Sequence, residues 1–268
     1  MPCTNASSRK ILPTTCNFFS SAAFYLTNHA VMKKILSLLF AAFSLVTVYA
    51  QKTIKDANVE SRNVSRFDII EVSGGIDLYL SYGEEAVAVS ASSKELRDHI
   101  KTEVKDGVLK ISYDWKKGMK FNLKGSSLKA YVSYTSLLRL FASGGSDVNV
   151  DGTIKADQFR LNLSGGSDFK GKVDMKTLTI NISGGSDVSL NGAVTDLKID
   201  ASGGSDFSGY DLVTENCIIQ ASGGSDIEIT VNKELYAEAS GASDVNWRGK
   251  ATVKGVRASG SGSVSHRS

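Results

Sequence analysis

A five-residue motif returns in register along the second half of this chain and leaves few folds open to it. Ser143-Gly144-Gly145-Ser146-Asp147 recurs from Ser164, Ser183, Ser202 and Ser222, is varied as Ser240-Gly241-Ala242-Ser243-Asp244, and decays into Ser259-Gly260-Ser261-Gly262-Ser263. The intervals between starts are 21, 19, 19, 20, 18 and 19 residues. A unit this short cannot bury an apolar face alone, so its copies must stack.

The flanks say what each unit is. One, three and five residues ahead of the motif stand apolar side chains: Ala142, Leu140 and Leu138 in the first copy, Ile182, Ile180 and Leu178 in the third, Ala221, Ile219 and Cys217 in the fifth. The positions between are mostly polar, as at Asn162, Asn181, Asp200, Gln220 and Glu238. Alternation with period two marks a strand with one face inward. Each motif Asp is followed by a further apolar residue: Val148, Phe169, Val188, Phe207, Ile227 or Val245. A later glycine stands five residues after the Asp at Gly152, Gly192 and Gly249 but three after it at Gly171 and Gly209. These read as a second turn whose position moves by two, a shift that keeps the same side chains inward. Each repeat is thus expected to be strand, Gly-Gly turn, strand and return segment. Stacked in parallel, such units form an all-β, parallel β-helix-like solenoid of roughly 19-residue coils. A right-handed winding is favoured, as for parallel crossovers generally. The absence of proline from residues 51–268 fits strands whose amides all donate to the next coil.

Gly144, Gly145, Gly165, Gly166, Gly184, Gly185, Gly203, Gly204, Gly223 and Gly224 are assigned as repeat-turn structural residues. Gly74 and Gly75 join them from an early copy, Ser73-Gly74-Gly75-Ile76-Asp77. Around that copy, Phe67, Ile69 and Val72 lead in and Leu78 and Leu80 follow, while Val87 and Val89 form another strand. Residues 93–101 have Leu96 and Ile100 at helical spacing, and Asp106-Gly107 predicts a hairpin joining 101–105 to 108–113. This N-terminal portion is expected to cap the open end of the stack.

Composition matters chiefly for its unevenness. The 268 residues carry a formal charge of +3, yet residues 1–50 contain Arg9, Lys10, Lys33 and Lys34 and no acid. The remainder holds 27 basic and 28 acidic side chains, formally −1, which argues against a nucleic-acid partner. From Met32 the chain has the form of a signal peptide: Lys33 and Lys34, an apolar run over 35–48, then Val48-Tyr49-Ala50 as a cleavage site. The run is shorter than the roughly 20 apolar residues of a membrane helix, and no later segment is long or apolar enough. The expected organisation is therefore 1–31 as a misassigned upstream start, 32–50 as signal peptide and 51–62 as a short linker. A single domain follows over 63–264, with an N-terminal portion at 63–142 and the repeats at 143–264, then a tail at 265–268. Export to the periplasm or the cell surface follows from the leader.

Stacking would place Asp147, Asp168, Asp187, Asp206, Asp226 and Asp244 in one acidic column, with neighbours about 4.8 Å apart. Two carboxylates at that separation repel by about 0.9 kcal/mol in bulk water and by about 3.5 kcal/mol at an effective dielectric of 20. Cations, calcium above all, could bridge the column. The favoured alternative is that each Asp accepts hydrogen bonds from turn amides and from the adjacent serine hydroxyls. No catalytic residue, cofactor site or further metal site is assigned. Cys217 falls in an inward column, where a thiol is inert, and His99 and His266 have no companions at ligand spacing. Lys116, Lys117, Lys120 and Lys124 surround Trp115 and Phe121 and could meet an anionic glycan or nucleic acid, though such a run is more often a solvated loop or a strand edge kept soluble by lysine. Tyr79, Tyr82, Tyr113, Tyr131 and Tyr134 could offer a sugar-stacking platform if their outward faces coincide, with core packing as the other reading.

Phe67, Ser73-Gly74-Gly75-Ile76-Asp77-Leu78, Gly83, Val87, Val89, Gly107-Val108-Leu109-Lys110-Ile111 and the Ser-Gly-Gly-Ser-Asp repeats together resemble the auto-transporter adhesin head GIN domain family. The resemblance spans roughly residues 67–264. Asp77 stands where the family's Gly-Ile-Asn-like signature usually has Asn, and Asp forms the same kind of turn. The resemblance implies an exported β-solenoid of Bacteroidetes-type bacteria used in surface adhesion. The expectation is a non-enzymatic cell-envelope module that meets a surface glycan or protein. The alternatives are a β-helix that binds or cleaves polysaccharide and a periplasmic scaffold for a protein partner. A cleaving enzyme would need one irregular cluster of unlike groups, whereas here the acids repeat at every coil.

Overall fold

The computed structural model describes residues 56–115 and 127–268. The expected leader and residues 51–55 of the linker lie outside the described residues, as do Lys116, Lys117, Lys120, Phe121 and Lys124.

The N-terminal portion contains β1 (Glu60–Arg62), β2 (Ile69–Ser73), β3 (Asp77–Tyr82), β4 (Ala86–Ala91), α1 (Lys94–Asp98), β5 (Ile100–Lys105), β6 (Val108–Tyr113), β7 (Leu128–Tyr134) and β8 (Arg139–Ser143). Five long strands follow: β9 (Val148–Ser164), β10 (Phe169–Ser183), β11 (Asp187–Ser202), β12 (Asp206–Ala221) and β13 (Asp226–Ala239). The last coil is made of β14 (Asp244–Arg248), β15 (Thr252–Ala258) and β16 (Ser263–His266). The long strands pair in parallel, each with its equivalent in the next coil. The result is a β-solenoid of about seven turns.

The same stack begins in the N-terminal portion. β2 pairs in parallel with β6 and β8, and β3 with β7 and β9. Antiparallel strands cover its start: β4 lies against β7, β1 against β4, and β5 against β6. The hairpin between β5 and β6 turns at Asp106 (φ 51°) and Gly107 (φ 78°), the pair of positive φ values that suits a two-residue hairpin turn. Ser93 caps α1 by accepting from the Leu96 amide at 3.3 Å and Leu96 is buried, but the helix stops at Asp98, so Ile100, expected on the same helical face, is buried as the first residue of β5 instead.

The inward columns are as the alternation predicts, with one correction. Leu140, Leu161, Ile180, Ile199 and Ile219 are at most 1% exposed and lie in direct register. Leu138, placed inward by spacing, is instead 46% exposed, and Leu137 is buried in its stead. The chain enters β8 from a bend after β7 rather than from a continuous strand, so the alternation does not extend back past Arg139.

Two further expectations change. There is no separate return segment, because each of β9 to β13 runs unbroken from one corner to the next. Unequal repeat lengths are taken up by register shifts inside the strands, between Lys170 and Lys172, Ser189 and Gly192, and Gly209 and Val213. Gly171 and Gly209 are not turn residues either: both are buried within strands, and neither has positive φ. A methyl group on Gly171 would lie 3.1 Å from both the Phe169 ring and Val150, and one on Gly209 would overlap the Phe207 ring. The coils without Phe here pair Val188 with Leu190 and Ile227 with Ile229 at the same two positions. Large beside small and medium beside medium keeps each layer filled at near-constant volume.

Candidate functional site

The Gly-Gly corner organises everything that faces solvent beside it. The first glycine has positive φ in every copy, for example 67° at Gly144 and 82° at Gly203. The second is positive at Gly145, Gly166 and Gly185 but not at Gly204 or Gly224. From the Gly224 coil onward the amide at the second position donates to the carbonyl of the first glycine of the coil before: Gly224 to Gly203 at 2.7 Å, and Ala242 to Gly223 at 2.6 Å. The change of corner explains why alanine stands at position 242.

The second serine of each motif points inward, and the spacing did not reveal it. Ser146, Ser167, Ser186, Ser205, Ser225 and Ser243 are all fully buried. The Ser146 amide donates to Ser167 Oγ at 3.0 Å, and that of Ser167 to Ser186 Oγ at 3.1 Å. Ser205, Ser225 and Ser243 hydroxyls donate to the carbonyls of Ser202, Ser222 and Ser240. These hydroxyls therefore satisfy backbone groups of the corner, not the neighbouring aspartates as expected from their adjacency.

The acidic column exists and is in register: Asp187 pairs with Asp206, Asp206 with Asp226 and Asp226 with Asp244. Asp147 and Asp168 continue it toward Asp77, since Val148 pairs with both Phe169 and Leu78. Asp147, Asp168, Asp187 and Asp206 line an open groove that also contains Asn149, Lys170, Ser189 and Ser208. Asp187 Oδ1 accepts from the Asp206 amide at 3.4 Å, and Asp244 Oδ1 from Ser263 Oγ at 2.6 Å. Burial first, and Asp147 second, raise the carboxyl pKa of both Asp77 and Asp168 above the usual range. Asp206 is raised by burial, with Asp187 and Asp226 adding to it. Among the described residues no three His, Cys, Asp or Glu side chains form a group able to hold a metal ion.

On the other side of the corner lies a longer feature. The outward residue two places before each motif forms a second column, running from Lys110 and Glu71 through Phe141 and Asn162. It continues through Asn181, Asp200, Gln220 and Glu238 to Arg257. These side chains and the first serines of the motifs line an open trough of about 1240 Å³. Asn181 Nδ2 donates to Asn162 Oδ1 at 2.7 Å. Asp200 Oδ2 is 3.0 Å from Lys198 Nζ, and Glu238 Oε1 is 2.8 Å from Arg257 Nη1. Asn162 Nδ2 and Asp200 Oδ1 are shielded from water and have no hydrogen-bond partner. The trough was not foreseen from the sequence. Its signal was present as the recurring Asn, Asp, Gln and Glu between inward residues, which period-two reasoning treats only as solvent-facing.

The remaining candidates do not converge. Cys217 is 1% exposed, and burial pushes its thiol pKa up. His99 packs beside the Tyr113 ring, while His266 lies 4.2 Å from the Trp247 ring and 3.2 Å from the Gly249 carbonyl. The tyrosines divide. Tyr113 and Tyr134 are buried, and burial, with Tyr82 second, pushes the Tyr134 hydroxyl up to about 12. Tyr79 and Tyr131 stack at 5.3 Å as an outward pair, and Tyr82 stands exposed.

A family model described as "Putative auto-transporter adhesin, head GIN domain" matches residues 66–251. None of the curated proteins matches the chain. Among solved structures, a "putative adhesin" of Bacteroides fragilis superimposes with a TM-score of 0.72 at 18% identity, covering 80% of this chain and 98% of that one. A "putative adhesin" of Parabacteroides merdae gives 0.62 at 16% identity with the same coverage of 80% and 98%. A "putative lipid binding protein" of Parabacteroides distasonis gives 0.57 at 19%, again covering 80% and 98%. At these identities the likeness is one of fold.

Proposed function

Because the chain belongs to the auto-transporter adhesin head GIN domain family, we propose that it is a non-enzymatic adhesion module of the cell envelope, exported by its apolar leader and displayed at the cell surface. The observation that carries this reading is repetition. The acidic column presents the same group at successive rungs, about 4.8 Å apart, which suits contact with an extended partner. Catalysis asks for the opposite, unlike groups converging on one point. Among the described residues the motif aspartates run in a line, the thiol of Cys217 is sealed in the core, and His99 and His266 lie beside different rings, Tyr113 and Trp247. Lipid binding, the description given to one structural neighbour, is less well supported here. The inward columns pack side chain against side chain, and both grooves beside the corner are open, with polar as well as apolar groups in their walls.

Protease shaving of intact cells, followed by immunoblotting, tests the location, and attachment of a deletion strain tests the role. Degradation of the protein on intact cells together with reduced attachment is expected. Protection until the outer membrane is opened would refute surface display.

A further inference from the structure

We infer that the trough beside the Gly-Gly corner is a binding site for a linear, uncharged polysaccharide. This rests on the adhesion reading and names the partner class of that surface.

The trough runs along the stack, across the strands rather than beside one. Nine rungs from Lys110 to Arg257 span eight inter-strand steps, about 38 Å in all. A ligand that uses this length must itself be long and repetitive. An extended peptide would normally bind by adding a strand to a free sheet edge. Here the strands crossed by the middle of the trough are paired on both sides, so their backbone groups are already taken.

Recognition therefore falls to side chains, and apart from Asp200 those in the middle of the trough are amides and hydroxyls, each able both to donate and to accept. Sugar hydroxyls have the same dual character. The charged rungs do not select a polyion: Asp200 is paired with Lys198, Glu238 with Arg257, and Glu71 stands directly across from Lys110.

Two observations point to a ligand rather than to a merely solvated face. Asn162 Nδ2 and Asp200 Oδ1, one rung to either side of Asn181, have no hydrogen-bond partner and are screened from water. Such groups gain a bond when a ligand draws the side chain outward. Along the wall, the hydroxyls of Ser183, Ser222 and Ser240 each reach a neighbouring carbonyl only at 3.4 Å, the long limit of a hydrogen bond. They can turn to a ligand at little cost. Phe141, half-buried near one end, adds a ring against which a sugar face can stack.

The test is affinity electrophoresis of the exported domain through native gels containing barley β-glucan, mannan or xylan, with alginate and dextran sulfate as the polyanionic arm. At least one neutral polysaccharide should retard the protein. The triple variant Asn162→Ala, Asn181→Ala and Gln220→Ala should weaken that binding by more than tenfold. Gln220→Leu, which removes an amide at an exposed rung without touching the core, should also weaken it. Asn149→Ala, on the far side of the corner, should leave binding unchanged. Retardation by the polyanions alone, by none of the gels, or equally for the trough variants and the wild type would each overturn the proposal. The shaving and attachment assays judge the adhesion reading separately.

Discussion

Neutralising one rung of the acidic column should stabilise the protein. Asp187 stands between Asp168 and Asp206, and Asp187→Asn removes a like charge from both neighbours. At an inter-strand spacing of about 4.8 Å each repulsion is about 0.9 kcal/mol in water. Ions at 0.1 M, with a Debye length of about 10 Å, reduce this by roughly 40%. The variant should therefore be more stable by about 1–2 kcal/mol at low salt. For a domain of this size that raises Tm by roughly 3–6 °C. Asn retains the Oδ1 that accepts from the Asp206 amide, so the corner's hydrogen bond survives. Thermal melts followed by circular dichroism in 10 mM and 1 M NaCl measure the gain, which should shrink in high salt. It should also shrink on acidification. Asp168 and Asp206 are raised in the folded protein, so their charged forms are disfavoured there. Their stabilising contribution is complete below the unfolded value of about 4 and is lost as pH rises through the folded one. Wild type and variant should thus converge as pH falls from 7 toward 4. Chelation with EDTA should leave the wild-type Tm unchanged. A variant less stable than wild type at pH 7 and low salt would refute this electrostatic reasoning. If EDTA then lowered only the wild-type Tm, calcium bridging the column would be the explanation.

Five substitutions and the reactivity of one thiol test the packing. Ser186→Ala removes the acceptor of the buried Ser167 amide and should cost about 1–3 kcal/mol by denaturant titration. Gly209→Val should destabilise by about 1–3 kcal/mol through overlap with Phe207, and adding Phe207→Val should recover most of the loss. Gly166→Ala, at φ 73°, should cost roughly 1 kcal/mol, whereas Gly204→Ala, with open space and no positive φ, should be neutral or slightly stabilising. Cys217 should be unreactive toward a thiol reagent in the native protein and react at once in denaturant, because its thiol is buried and its ionisation suppressed.

What could be read along the chain was whatever a strand decides locally. Alternation with period two assigned Leu140, Leu161, Ile180, Ile199 and Ile219 to the core, and the motif spacing forced their coils to stack in parallel. Asp106-Gly107 announced its hairpin for the same local reason. Questions settled between coils were beyond its reach. Gly171 and Gly209 looked like turn glycines because spacing cannot show that a phenylalanine ring fills the place of their missing side chains. Ser146 and its equivalents looked like partners for aspartate because a sequence does not show which amide of the neighbouring coil lies within 3 Å of a hydroxyl. The trough arises only when nine separate segments are brought into register. The repeat determined that this protein is a solenoid with one continuous core. The tertiary structure decided where its polar groups are spent and where they remain free, because hydrogen bonds across the stack join residues about twenty positions apart.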